Sequence, residues 1–132
     1  MSKRLLALAT RYIGLEERKN RKILSDLVDL DVAVIPWCAS FINALLEELG
    51  IEGSGSNLAR SLLKVGTKVK LEDALPGDIV VFKRGNSTWQ GHVALFVKGP
   101  INGFIEVLGG NQGDRVCIAK YKARKLLGVR RV

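Results

Sequence analysis

Apolar residues recur at helical spacing through the first half of the chain, and alternate or run together as in strands through the second. Leu5, Leu6, Leu8, Ala9, Tyr12 and Ile13 give residues 2–13 a broad apolar face, which Gly14 closes. A polar link over 15–20 leads to a second amphipathic helix over 21–30, with Ile23, Leu24, Leu27 and Val28 on its inner side. Pro36 fixes its own φ and biases Ile35 towards an extended conformation, so no helix crosses this point. Beyond it Phe41, Ile42, Leu45, Leu46 and Leu49 define a third helix over 38–49, the most apolar of the set, stopped by Gly50. Residues 51–56 have loop composition, after which Ser56 or Asn57 is placed to cap a fourth helix over 58–65, closed by Gly66.

From Thr67 the period changes. Residues 67–71 alternate weakly, Pro76-Gly77 reads as a turn, and 78–82 as a strong buried strand. Further strands are predicted over 91–97, 104–108, 116–119 and 128–132, with a turn at 99–103 and a short helix around 121–126. Helices first and an antiparallel meander afterwards predict an α+β fold, with N-terminal helices packed on a C-terminal antiparallel β-sheet. Nothing in the pattern divides the chain, so one domain over 1–132 is expected.

Composition narrows the function classes. A chain of 132 residues with 47% apolar and 26% charged residues buries a core without staples. The formal charge of +8 favours an anionic partner (nucleic acid, anionic lipid or an acidic cell-wall polymer), or serves solubility alone. The basic residues form only short clusters at 18–22 and 120–125, without interleaved aromatics, which speaks against a nucleic-acid platform. No apolar run approaches the roughly 20 residues that span a bilayer, so no membrane insertion is expected. The N-terminal run resembles a signal peptide superficially. Arg11 and Tyr12 interrupt it, and its polar positions recur as on an amphipathic helix, so we read it as mature structure. Two cysteines without a CxxC and a single histidine make a metal site unexpected, and no cofactor is called for.

The candidate chemistry centres on Cys38. At the start of the third helix, unpaired backbone N–H groups and the positive end of the dipole favour a thiolate. The same position equally suits a small buried apolar residue. The sole histidine, His92, opens a strand, and alternation puts it on one face with Ala94 and Phe96. Gly91 before it permits close approach of another backbone or a substrate. His92 reads either as a structural histidine or as a base. Beyond the next strand, Leu108-Gly109-Gly110-Asn111-Gln112-Gly113 supplies two amides where the chain must turn. It reads as a β-turn, or as the source of an Asn or Gln that accepts the Nδ1–H of His92 and fixes its tautomer. Nucleophile on a helix N-terminus, base on a strand and orienting residue one strand later form the ordered set that a cysteine–histidine hydrolase requires.

These blocks, Pro36 to Phe41, Pro76 to Phe82, Gly91 to Ala94 and Leu108 to Gln112, resemble the CHAP and NlpC-type cysteine peptidases of the papain-like superfamily, in a compact subgroup found in bacteria and their phages. The similarity runs from the N-terminal helices through Ala59-Arg60-Ser61 to Gly128–Arg131. It implies a papain-like fold and a monomeric hydrolase, endopeptidase or amidase, that cleaves a wall-peptide amide of bacterial peptidoglycan. Cys38 would be the nucleophile, His92 the base and Asn111 the orienting residue. Glu106, which matches the NlpC-type position, and Gln112 are the lesser candidates for that third place. Trp37 and Trp89 would wall the substrate groove. A tryptophan common in the family is replaced at or near Leu62, and the Arg18-Lys19-Asn20 link is unusually basic. Action at the cell wall or periplasm, from a phage-encoded or virion-associated lysin, is the expectation. A deamidase acting on a protein, or a wall-binding module with a decayed site, are the alternatives.

Overall fold

The helical spacings of the N-terminal half become three helices, α1 (Ser2–Thr10), α2 (Arg21–Val28) and α3 (Cys38–Glu48), in a computed structural model that describes residues 2–132. Met1 of the N-terminal run lies outside them. The strands are β1 (Thr67–Val69), β2 (Ile79–Lys83), β3 (Gly91–Ile101), β4 (Phe104–Gly109), β5 (Cys117–Lys122) and β6 (Leu126–Arg131). Among the described residues they form one antiparallel sheet in the order β1-β6-β2-β3-β4-β5. The fold is α+β. Strands β2 to β5 make the expected meander, but β6 leaves it and inserts between β1 and β2, where Val129 stands opposite both Val69 and Val80.

Three local expectations change. The fourth helix is a six-residue 3₁₀ segment, Ala59–Lys64. Asn57 does not cap it, because its Oδ1 accepts the Ser40 hydroxyl at 2.7 Å, while Ser56 Oγ takes the Leu58 N–H at 3.1 Å. The turn expected over 99–103 shrinks to Asn102-Gly103. Both residues have positive φ (52° and 82°), which suits a two-residue hairpin, and β3 therefore runs on to Ile101 opposite Phe104. The short helix around 121–126 is a three-residue 3₁₀ turn, Ala123–Lys125, because β5 extends through Lys122.

Both faces of the central strands are covered, which is why Ile79-Val80-Val81-Phe82 is apolar without alternation. On one face Leu5, Leu24, Phe41, Ile42 and Leu45 of the helices pack with Ile79, Val81, Val93, Leu95 and Leu108. On the other, Val80, Phe82, Ala94, Phe96, Ile105, Val107 and Val129 form a second cluster. No helix among the described residues is long and apolar enough to cross a membrane.

Asp78, fully buried at the entry to β2, ties the helical and sheet layers together. Its carboxylate accepts the Ser2 hydroxyl at 2.7 Å, the Leu75 N–H at 2.8 Å and a two-point grip from Arg131 at 3.0 and 2.8 Å. Burial alone would raise its pKa, but the bonds from Arg131, Leu75 and Ser2 outweigh it and hold the carboxyl below 3.8. Gly77 beside it, at φ 95°, lies so close to Ser2 that a Cβ would overlap the Ser2 carbonyl. Asp78→Ala leaves the Ser2 and Arg131 donors without their shared acceptor. We expect a loss of about 3 kcal/mol with an unchanged denaturant slope, read from the urea midpoint.

Candidate functional site

Helix α3 begins at Cys38 because Pro36 cannot continue a helix from the preceding segment and Trp37 supplies the cap position. The helix packs on β3 and β4, and its first turn meets the start of β3. There the backbone N–H dipoles of Val93, the residue after His92, and of Ala39 and Cys38 itself favour a charged Cys38 sulfur. Burial pushes the thiol above its ordinary value, and these three donors, with the charge of Arg84, pull only part of the way back. The side chain is therefore held as a buried thiol, surrounded by groups that favour a thiolate when one forms.

His92 sits opposite Phe82 in the β2–β3 pair, on the face of Ala94 and Phe96 that the alternation predicted. Its ring stacks on Tyr121, with centroids 4.6 Å apart and planes 14° from parallel, and Tyr121 stacks in turn on Phe82. Burial lowers the His92 pKa to about 4, against the upward pull of a hydrogen bond to Gln112, and Arg84 lowers it further. The imidazole is neutral at neutral pH.

Gln112, not Asn111, meets the histidine. Its Oε1 lies 2.8 Å from His92 Nε2, and the side chain is 4% exposed. Its Nε2 donates to the Cys117 carbonyl at 2.7 Å. A carbonyl oxygen only accepts, so the amide NH₂ must face Cys117 and Oε1 must face the ring. Nε2 of His92 therefore carries the proton and Nδ1 is the free base, the reverse of the Nδ1–H contact expected from sequence.

Asn111 takes the left-handed conformation (φ 57°) that starts the turn and is half-buried without a hydrogen bond to His92, while the next residue is buried against the ring. Glu106 is also elsewhere. It alternates to the side of β4 opposite Ile105 and Val107, and pairs with Lys98 at 3.3 Å. Trp37 cannot wall a groove: it is fully buried, edge-on to Phe41, with its indole N–H on Glu17 at 3.0 Å. Trp89 is 59% exposed in the β2–β3 loop. That loop is pinned by Arg60, which donates to the carbonyls of Gln90 (2.7 Å) and Ser87 (2.6 Å).

The glycines explain the local backbone. Gly109 and Gly110 do not turn the chain through positive φ; they permit contact. A Cβ at Gly109 would stand 2.9 Å from Gln112 Oε1, and one at Gly110 would stand 2.6 Å from the Trp37 ring. A Cβ at Gly91 would stand 2.6 Å from the Phe82 carbonyl. Behind the turn, the polar link after α1 pairs with it: Gly14 and Glu17 donate to the carbonyls of Val116 and Asp114, and Val116 donates back to Leu15.

Tyr121 and the Cys117 carbonyl are site components that the sequence reading missed. The alternation Cys117, Ala119, Tyr121 opposite Gly109, Val107 and Ile105 was the available signal. Burial first, then the nearby sulfurs of Cys38 and Cys117, push the Tyr121 hydroxyl up to about 12, so it remains a phenol.

Solved structures share this fold at low identity. An NlpC/P60 family protein from Bacillus cereus ATCC 10987 superposes with a TM-score of 0.64 at 16% identity, over 99% of this chain and 40% of its own. A protein described as similar to lipoprotein, of the NLP/P60 family, from Staphylococcus aureus subsp. aureus Mu50 gives 0.62 at 20% identity, over 99% and 41%. A mutated form of the resuscitation-promoting-factor-interacting protein RipA gives 0.62 at 15%, over 98% and 61%. This chain thus spans less than two thirds of the length of each. No curated protein sequence matches it. The CHAP domain family model matches residues 31–111, more than half of the sequence and a span that holds Cys38, His92 and the glycine pair before Gln112, and the chain belongs to the CHAP domain family.

Proposed function

We propose that this chain hydrolyses an amide bond in the peptide of bacterial peptidoglycan, with Cys38 as nucleophile, His92 as base and then acid, and Gln112 as the residue that orients His92. The observation that carries the reading is the chain of contacts from Cys117 carbonyl to Gln112 amide to His92 Nε2, which leaves Nδ1 unprotonated, next in sequence to Val93, whose N–H favours a charged Cys38 sulfur. Family membership supports the wall peptide as substrate. The +8 charge supports retention on an anionic wall polymer, which salt would weaken.

The resting pair is a neutral thiol and a neutral imidazole, because burial opposes both charged forms. Attack is therefore coupled to proton transfer. The Cys38 proton passes to His92 Nδ1 as the sulfur adds to the amide carbonyl, and the backbone N–H of Cys38 stabilises the oxyanion. The imidazolium then protonates the leaving amine, the C–N bond breaks, and a thioester remains. Water, deprotonated by His92, releases the acid and restores the thiol. Gln112 holds one tautomer throughout, as a neutral hydrogen-bond acceptor for the imidazolium. Trp89 offers an exposed aromatic wall beside the site. No cofactor enters these steps.

Three outcomes test this. Cys38→Ala, still folded, should release no muropeptides from purified peptidoglycan, a loss of at least about 10⁴-fold, while mass spectrometry of wild-type products names the bond. Release of nothing by the wild type from any wall type, or equal cleavage by the mutant, overturns the reading. Gln112→Ala should lower kcat by about 100-fold, whereas Asn111→Gly, which keeps the left-handed turn, should stay within about threefold; the reverse ranking would make Asn111 the orienting residue. Stability should also track His92. The unfolded histidine titrates near 6.5 and the folded one near 4, so stability is full above 6.5 and falls as pH drops towards 4. Urea midpoints should show that decline in the wild type and a shallower one in His92→Gln.

A further inference from the structure

Arg84 follows β2 directly. Lys83 stands opposite Gly91 and Phe82 opposite His92, so two-residue alternation carries Arg84 onto the side of Phe82, His92 and Tyr121. It is exposed, and among the described residues no carboxylate pairs with it and no side-chain hydrogen bond engages it. Arg60, the other arginine at this loop, is engaged through Nε and one Nη by the Gln90 and Ser87 carbonyls. Arg84 is also the one side-chain charge felt in common by Cys38, His92 and Tyr121, and no acidic residue bears on any of the three. A lone cation beside a base is otherwise a handicap, since it opposes formation of the imidazolium.

We propose that Arg84 receives a carboxylate of the substrate next to the scissile amide, a specificity that rests on the hydrolase reading above. A guanidinium offers a planar fork of donors suited to a carboxylate. Once the anion is bound, the pair is neutral and no longer opposes proton transfer to His92. An amidated substrate would leave Arg84 uncompensated and should turn over more slowly.

The test uses a pair of alkylating agents that differ only as carboxylate and carboxamide. The thiolate attacks the CH₂ carbon of iodoacetate and of iodoacetamide alike and expels iodide, so a change in thiol pKa cancels in the ratio of their rates. Rates are read at Cys38 by peptide mass spectrometry, which counts Cys117 separately, and melting curves check that the exposed-loop variants fold. The iodoacetate-to-iodoacetamide ratio should fall about fivefold in Arg84→Gln at low salt and fall less in Arg84→Lys, which keeps the charge but not the donor fork. It should also collapse for the wild type in about 1 M salt, where screening acts within about 3 Å. Ratios that are unchanged in Arg84→Gln overturn the proposal. A second arm compares turnover of wall peptides with a free or amidated carboxyl beside the cleaved bond: wild type should favour the acid and Arg84→Gln should not, and equal preference in both overturns the assignment. If the alkylation ratio depends on Arg84 and no wall peptide is cleaved, the anion site stands and the wall-hydrolase reading alone falls.

Discussion

A neutral amide in a buried position has only one comfortable arrangement here, and the site geometry follows from it. Gln112 is nearly inaccessible, so both ends of its amide must find partners within the protein. The Cys117 carbonyl takes the NH₂ end and thereby dictates which atom faces His92. The tautomer of the histidine is thus set by a backbone carbonyl two bonds of the network away. Among the described residues no buried side-chain polar atom lacks a partner, and this chain of contacts is part of the reason. The packing that allows it is equally specific: Gly109 leaves room for the Gln112 oxygen, and Gly110 lies against the ring of Trp37.

Trp37 links this network to the helices. Its buried indole stands edge-on to Phe41 of α3, bears on the glycine turn, and holds Glu17 of the link after α1. That link pairs with the segment between Gln112 and β5. The residue before the candidate nucleophile therefore helps to hold the residue behind the candidate base. A tryptophan in such a position reads as a substrate wall from sequence, because an aromatic next to a reactive cysteine fits that role as well as it fits a core.

Electrostatics in the site are dominated by burial. Cys38 and His92 are both driven towards their neutral forms, and the hydrogen bonds at each only moderate that trend. Backbone dipoles that favour a charged sulfur and a fixed tautomer at the ring are the features that the proposed proton transfer would use. The stack of Phe82, Tyr121 and His92 adds the packing that keeps the ring in place, using side chains from β2, β5 and β3.

Much of this was legible in the sequence for physical reasons. Periods of 3.6 and 2 identified α1 to α3 and the strong strands, Pro36 marked the entry to α3, and alternation put His92 on its correct face. Those are local properties, dictated by backbone sterics and by which side of an element must be apolar. The placement of β6 between β1 and β2 was not local; it depends on Val129 meeting Val69 and Val80 across the sheet. Nor was the choice between Asn111 and Gln112. Either amide reaches a histidine on paper, and the sequence by itself determined only that an amide would stand near the end of β4. The left-handed turn at Asn111, the space above Gly109 and the carbonyl of Cys117 decided which one, because a hydrogen bond is directional and only the assembled backbone sets its direction.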